Sequence, residues 1–146
     1  MAFIRQSGKT KVMWLPVAAS AGAVANGSLM AFSSGTLVPA TNTVDSFSIM
    51  GVIRKAITTA DSDYATARLI PIEVPVEKNV VWTADVTVGT LAASSVGLYF
   101  DLTTADDGTG IDQSASSLDI AQCVKYRTAA KGDFILNMGA DGKVKS

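Results

Sequence analysis

Few residues of this chain are able to do chemistry, and their spacing matches no reactive constellation. Ser7-Gly8-Lys9-Thr10 has the ending of a phosphate-binding loop, in which backbone amides cradle phosphates and a lysine reaches them. Such a loop needs a glycine five positions before Gly8, a strand ahead and a helix behind. Position 3 is Phe3, there is no room for a preceding strand, and β-type sequence follows, so nucleotide binding is not expected. Asp101, Asp106, Asp107 and Asp112 invite a calcium reading, because hard cations take several carboxylate oxygens from one loop. Their spacing lacks the alternate acids and late glutamate of the helix-loop-helix calcium pattern, and Asp-Asp-Gly is ordinary turn chemistry. No metal site is assigned, and cation binding by the 101–112 loop stays an open alternative. The same acids as a glycosidase pair would want an aromatic groove around them, which the neighbouring sequence does not supply.

There is no histidine. That removes the commonest general base, the usual zinc ligand and any Ser-His or Cys-His pair. The single cysteine, Cys123, excludes an internal disulfide framework and reads as a small strand residue rather than a reactive thiol. The expectation is a protein that is not an enzyme and carries no cofactor. Asn26-Gly27-Ser28 matches a glycosylation sequon, but without a visible secretory signal it reads as a turn. The N-terminus, Met1-Ala2-Phe3-Ile4-Arg5, shows no charged region leading into an apolar core.

The 146 residues suit about one domain, with 48% hydrophobic and 17% charged residues and a mean hydropathy of +0.30. Ala and Val inflate the apolar share, which favours close-packed sheets. No apolar run reaches the ~20 residues needed to cross a bilayer as a helix. Val17 to Ala31 comes nearest, and Ser20, Gly22, Asn26, Gly27 and Ser28 interrupt it. No membrane association is expected. Net charge is −1 but unevenly spread: +3 over residues 1–11, +1 over 12–55, −8 over 56–124 and +3 over 125–146. Solvated loops explain this, or basic termini meeting the acidic middles of neighbouring subunits. Basic residues without interleaved aromatics disfavour nucleic acid as a partner.

The elements that position these residues are strands. Ile70, Ile72, Val74 and Val76 alternate with Pro71, Glu73 and Pro75; Val80, Trp82, Ala84, Val86 and Val88 repeat the period of two after Glu77-Lys78-Asn79. The pair reads as a β-hairpin whose first strand, rich in proline, lies at a sheet edge or in a non-bonded position. Its outer face is Pro71, Glu73, Pro75, Thr83, Asp85 and Thr87. Further strands are expected at Thr10–Val17, Ser28–Phe32, Thr36–Val38, Phe47–Ile57, Val96–Leu102, Leu118–Arg127 and Asp133–Met138. Leu118, Ile120, Gln122, Val124 and Tyr126 would share one face of the penultimate strand. A helix fits only at Thr58–Thr66. The fold class is therefore all-β: a single small β-barrel or β-sandwich of about eight or nine short strands. Residues 1–11 form an extended N-terminal arm, 12–138 the β-rich domain and 139–146 a C-terminal tail, with arm and tail loose unless a partner orders them. Trp14 and Trp82 lie on apolar strand faces, as core residues or as interface anchors.

Asn26-Gly27-Ser28-Leu29-Met30, Ile49-Met50-Gly51-Val52-Ile53 and the long alternating stretch after them carry a resemblance. So do Val96-Gly97-Leu98-Tyr99-Phe100-Asp101-Leu102 and Gly132-Asp133-Phe134-Ile135-Leu136. In pattern and style, over about residues 12 to 138, the chain resembles the small β-rich decoration (cement, or head-stabilisation) proteins of tailed bacteriophages. The resemblance implies a structural virion protein on the outer capsid surface, bridging major capsid protein subunits, in copies clustered as homotrimers. The basic arm suits docking through an N-terminal segment, with Phe3, Ile4 and Arg5 as docking residues and Trp14 as an anchor. The hairpin would then face solvent or a sister subunit. The second expectation is another virion β-module, of tail or baseplate, or a carbohydrate-binding β-sandwich. A sugar binder should expose an aromatic platform, and most of the ten aromatics fall on alternating apolar faces.

Overall fold

The computed structural model describes residues 3–41, 48–103, 110–116 and 119–136. The tail 139–146 and Phe47, Asp106, Asp107, Leu118 and Met138 lie outside these described residues. The fold is all-β, as the alternation and turn spacing require, and the described residues form eleven strands in two sheets. In chain order they are β1 (Ile4–Ser7), β2 (Thr10–Val17), β3 (Leu29–Ser33), β4 (Thr36–Pro39), β5 (Ile49–Ile53), β6 (Arg68–Pro75), β7 (Val81–Val88), β8 (Tyr99–Leu102), β9 (Gly110–Asp112), β10 (Ala121–Thr128) and β11 (Lys131–Leu136). β1 and β9 are the strands the sequence reading did not separate.

Strands β7, β11, β10, β8 and β9 form a closed five-stranded barrel, the ring completed by the parallel pairing of β7 with β9. Closure leaves no free edge along the ring. The edge of β7 opposite β11 is shared, with β1 against Val81–Thr83 and β9 against Asp85–Val88. Trp82 and Phe134 are cross-strand partners, both buried, and with Phe100, Leu102, Ile111 and Cys123 they fill the interior. Such aromatic pairs dominate small cores because each ring buries a large apolar area. The second sheet runs β2-β6-β5-β3-β4.

The stretch from Ile70 to Val88 is not a hairpin. β6 belongs to the five-stranded sheet and β7 to the barrel, so Glu77-Lys78-Asn79 lies at a corner where the chain changes sheets. Its partner is the N-terminal segment: Ile4 faces Thr83, Thr10 faces Pro75 and Val17 faces Arg68. One antiparallel ribbon thus passes through both sheets and bends between them. At the bend Gly8 has φ +97°, and a Cβ there would stand 2.7 Å from the Cα of Val80. The backbone amide of Lys9 donates to the Glu77 carboxylate at 2.8 Å, which pins the two corner segments together.

Of the two placements open to the proline-rich strand, β6 takes the non-bonded one, as an inner strand flanked by β2 and β5. Its prolines are tolerated because the Pro71 carbonyl accepts from the Arg54 amide on the β5 side. On that side β5 pairs only through Val52–Glu73 and Ile53–Ile72, so few ladder donors are missed. The expected outer face of the stretch is only partly open: Glu73, Pro75 and Thr83 are buried, while Thr87 is exposed.

Two further expectations need correction. Residues 3–11 are not a loose arm: β1 pairs with β7, Thr10 and Lys11 belong to β2, and Phe3 is a core residue. Thr58–Thr66 forms successive turns (Tyr64 N–H to Asp61 O 3.1 Å, Thr66 N–H to Asp63 O 3.0 Å) rather than a helix. In β10 Ala121 and Cys123 form the buried face, while Gln122 and Val124 are half-buried and Tyr126 is exposed. Asp119, just before it, sits at φ 52°. No helix among the described residues is long and apolar enough to cross a membrane.

Candidate functional site

β2 carries apolar residues on both of its faces, since Val12, Trp14 and Pro16 alternate with Met13, Leu15 and Val17. The fold buries the second set: Val17 is in the core, with Met13 and Leu15 packed against it. That leaves Trp14 61% exposed, Val12 56% and Leu69 56%. Register joins them into one patch. Trp14 stands opposite Pro71, and Leu69 stands opposite Pro16, which makes Leu69 the diagonal neighbour of Trp14. A contiguous set of large exposed apolar side chains, with tryptophan at its centre, has the composition of a protein-binding surface.

Beside this patch lies a buried carboxylate. Val12 faces Glu73 across the ladder. The Glu73 carboxylate accepts from Arg5 Nε (2.6 Å), Thr10 Oγ1 (2.7 Å) and Arg54 Nε (2.6 Å), and forms a second contact with the Arg54 guanidinium. Burial alone would push this carboxyl up, but hydrogen bonds from Thr10, Arg54 and Arg5 outweigh it and hold it below its ordinary value. The cluster joins four segments of the chain: β1, which pairs with the barrel strand β7, the sheet strands β2 and β6, and Arg54 just after β5. Arg5 and Arg54 remain partly exposed and form a cationic rim to the apolar patch.

The four residues expected to dock are divided by this geometry. Trp14 is exposed and central to the patch. Arg5 reaches its rim through Glu73. Ile4 is exposed on β1, but with a period of two it faces away from Arg5. Phe3 is buried, its amide donating to Gly27 O at 2.9 Å, and it offers no side chain to a partner. Leu69 and Glu73 were not singled out from sequence. Leu69 was legible as an apolar residue on the Pro71 face, and Glu73 as a lone acid among prolines and isoleucines.

The other chemical candidates serve the fold. Asp101 and Asp112 are cross-strand partners in the β8–β9 pair. Asp101 is buried and accepts the Asp119 amide at 3.0 Å, whereas Asp112 accepts from the Ser114 amide at 2.9 Å. Among the described residues no three His, Cys, Asp or Glu side chains converge on a metal position; Asp106 and Asp107 lie outside them. Burial pushes the Cys123 thiol above its ordinary value, so it stays protonated in the barrel. Asp133 is buried under a two-pronged bond from Arg127 (2.6 and 2.9 Å) and a third from Thr83 (2.7 Å). Ser7–Thr10 forms a strand corner rather than a phosphate loop.

The uneven charge along the sequence is in part reconciled within the chain. Arg5 from the basic start and Arg54 meet Glu73, and Lys131 meets Asp85 at 3.6 Å. Comparisons with family models, with curated proteins and with solved structures found no match for this chain.

Proposed function

We propose that this protein is a non-enzymatic structural component of a tailed-phage particle that binds the outer surface of the assembled capsid and bridges major capsid protein subunits. The observation that carries this reading is the Trp14–Val12–Leu69 patch, a contiguous apolar face that the described residues leave exposed. The sequence resemblance supplies the class of partner. Docking would bury the tryptophan against the shell while Arg5 and Arg54 contribute at the rim, where charge sets register and encounter rate more than affinity. Phe3 acts from inside, by fixing β1 and with it Arg5. Copies clustered as trimers on the shell would turn weak single contacts into firm attachment through avidity.

The test uses shells of the source phage assembled without this protein. Trp14→Ala should weaken binding by about 2 kcal/mol or more, the usual cost of truncating a central aromatic anchor. Its own unfolding midpoint should barely move, because an exposed side chain contributes within about 0.5 kcal/mol to stability. Undiminished attachment of Trp14→Ala in a co-sedimentation assay would overturn the docking face. A wild-type protein that does not bind those shells at all would overturn the function.

A further inference from the structure

Away from the β2–β6 face the barrel carries a second surface feature. It is an open groove of about 350 Å³ lined by Leu98, Tyr99 and Phe100 on one side and by Gln113, Ser114, Ser116 and Asp119 on the other. This volume lies at the lower end of the range for small-molecule sites. Tyr99 is 45% exposed, as the first residue of β8, and Leu98 beside it is also exposed. The groove therefore has an aromatic platform on one wall and short hydroxyl, amide and carboxylate side chains on the other.

Its walls are held without a ligand. β8 is fixed by the pairing of Tyr99 with Gln122 and of Phe100 with Ala121. The turn bearing Ser114 is closed by the Asp112 carboxylate, which accepts both the Ser114 amide and its hydroxyl. The Asp101 amide donates to Ala115 O at 2.9 Å, tying that turn to β8. Asp119 is kept at a positive φ of 52° while its amide donates to the buried Asp101 carboxylate. A non-glycine residue held in the left-handed region is a sparsely populated arrangement that surrounding structure must impose. Here the Asp101 contact ties the Asp119 backbone, and Asp119 lines the groove. Preformed walls reduce the ordering cost of binding.

The chemistry of the lining selects a ligand class. A pyranose ring has an apolar C–H face that stacks on a tyrosine ring, and a rim of hydroxyls that both donate and accept. Asp119 accepts, the Gln113 amide and the Ser116 hydroxyl do both, and the Ser114 hydroxyl, whose proton goes to Asp112, accepts. Among the described residues no Lys or Arg lines the groove, so none of them offsets the Asp119 charge for a phosphate or carboxylate ligand. We infer that this groove is a binding site for a neutral saccharide, with Tyr99 as the stacking platform and Asp119 and Gln113 as the polar contacts. It is separate from the Trp14 face, and the inference does not rest on the proposed attachment to a capsid.

The test titrates the full-length protein, followed by amide NMR shifts, with methyl glycosides of glucose, galactose, mannose and N-acetylglucosamine and with their β-linked disaccharides. At least one should produce saturable shifts at Tyr99, Gln113 and Asp119, with a dissociation constant about millimolar or tighter. Tyr99→Ala should weaken that binding by about tenfold, whereas Tyr126→Ala, which removes an exposed tyrosine on another part of the barrel, should not. Asp119→Ala, should it disturb its turn, is replaced by Gln113→Ala, which keeps the Asp101 contact and should also weaken binding. The absence of saturable shifts across the panel, binding indifferent to Tyr99→Ala, or tighter binding of adenosine monophosphate than of every sugar would each overturn the inference.

Discussion

Glu73 shows how one residue is set by its surroundings. A carboxylate between β2 and β5 is costly to bury, and it persists because Thr10, Arg54 and Arg5 supply donors on all sides. Its folded-state value lies below its ordinary value of 4.5, so near that pH the unfolded chain binds more protons than the folded one. The cluster's stabilisation is then present above the unfolded value and lost as pH falls through the folded one. Asp133, lowered from 3.8 by Arg127 and Thr83 against the effect of burial, acts in the same direction. Glu73→Gln should cost roughly 1–3 kcal/mol at pH 7, since an amide leaves two guanidinium groups without a counter-charge. Protonated glutamate resembles glutamine in shape and charge, so the difference from wild type should shrink as the pH is lowered through the acid range. Urea midpoints of both proteins at pH 7 and pH 3.5 check this. An equal gap at the two pH values would remove the ionised form from the argument.

At the scale of elements, β1 is the strand most dependent on single side chains. It has four residues, all exposed, and is anchored by Phe3 in the core and Arg5 on Glu73. Phe3→Ala should destabilise the protein by about 3–5 kcal/mol, as buried phenylalanines do, and should speed hydrogen exchange at Arg5 and Thr83 beyond the change in global stability. Unchanged exchange there would mean that β1 is held by its ladder alone. The N-terminal segment was hard to read from sequence for a physical reason: Ile4-Arg5-Gln6-Ser7 has one apolar residue, and its partner lies over seventy residues away. Alternation marked β2, β6 and β7 well, because each presents an apolar row to a core. Periodicity says nothing about partners, however, and a polar connector such as Glu77-Lys78-Asn79 fits a sheet-to-sheet corner as well as a hairpin. In β2 both parities are apolar, so the sequence left open whether Trp14 was core or surface, and only packing of Met13, Leu15 and Val17 decided it. The groove at Tyr99 was less legible still, since its walls come from β8 and from two segments at 113–116 and 119.

For the molecule as a whole, the bent ribbon of β1–β2 against β6–β7 makes a boundary between barrel and sheet hard to draw. Both chain segments of that ribbon, β1–β2 and β6–β7, run from one sheet into the other, and the Glu73 cluster closes the seam with groups from both. The buried apolar residues form one contiguous cluster, from Val17 and Ile72 in the sheet to Trp82 and Phe134 in the barrel. Oppositely charged stretches of the sequence also meet across the fold rather than only between copies. Such continuity predicts a single cooperative unfolding transition instead of two. The two tryptophans provide the means to see it, because Trp82 is inside the barrel and Trp14 is on the outer face of the sheet. Trp14→Phe, a change at an exposed site, leaves Trp82 as the sole tryptophan, and its selectively excited emission reports on the barrel. Far-UV circular dichroism of the same variant reports all eleven strands. Urea transitions from the two signals should coincide in midpoint and slope. A circular-dichroism step preceding the Trp82 transition would show the five-stranded sheet melting by itself, and would reduce the ribbon to a linker between two independent units.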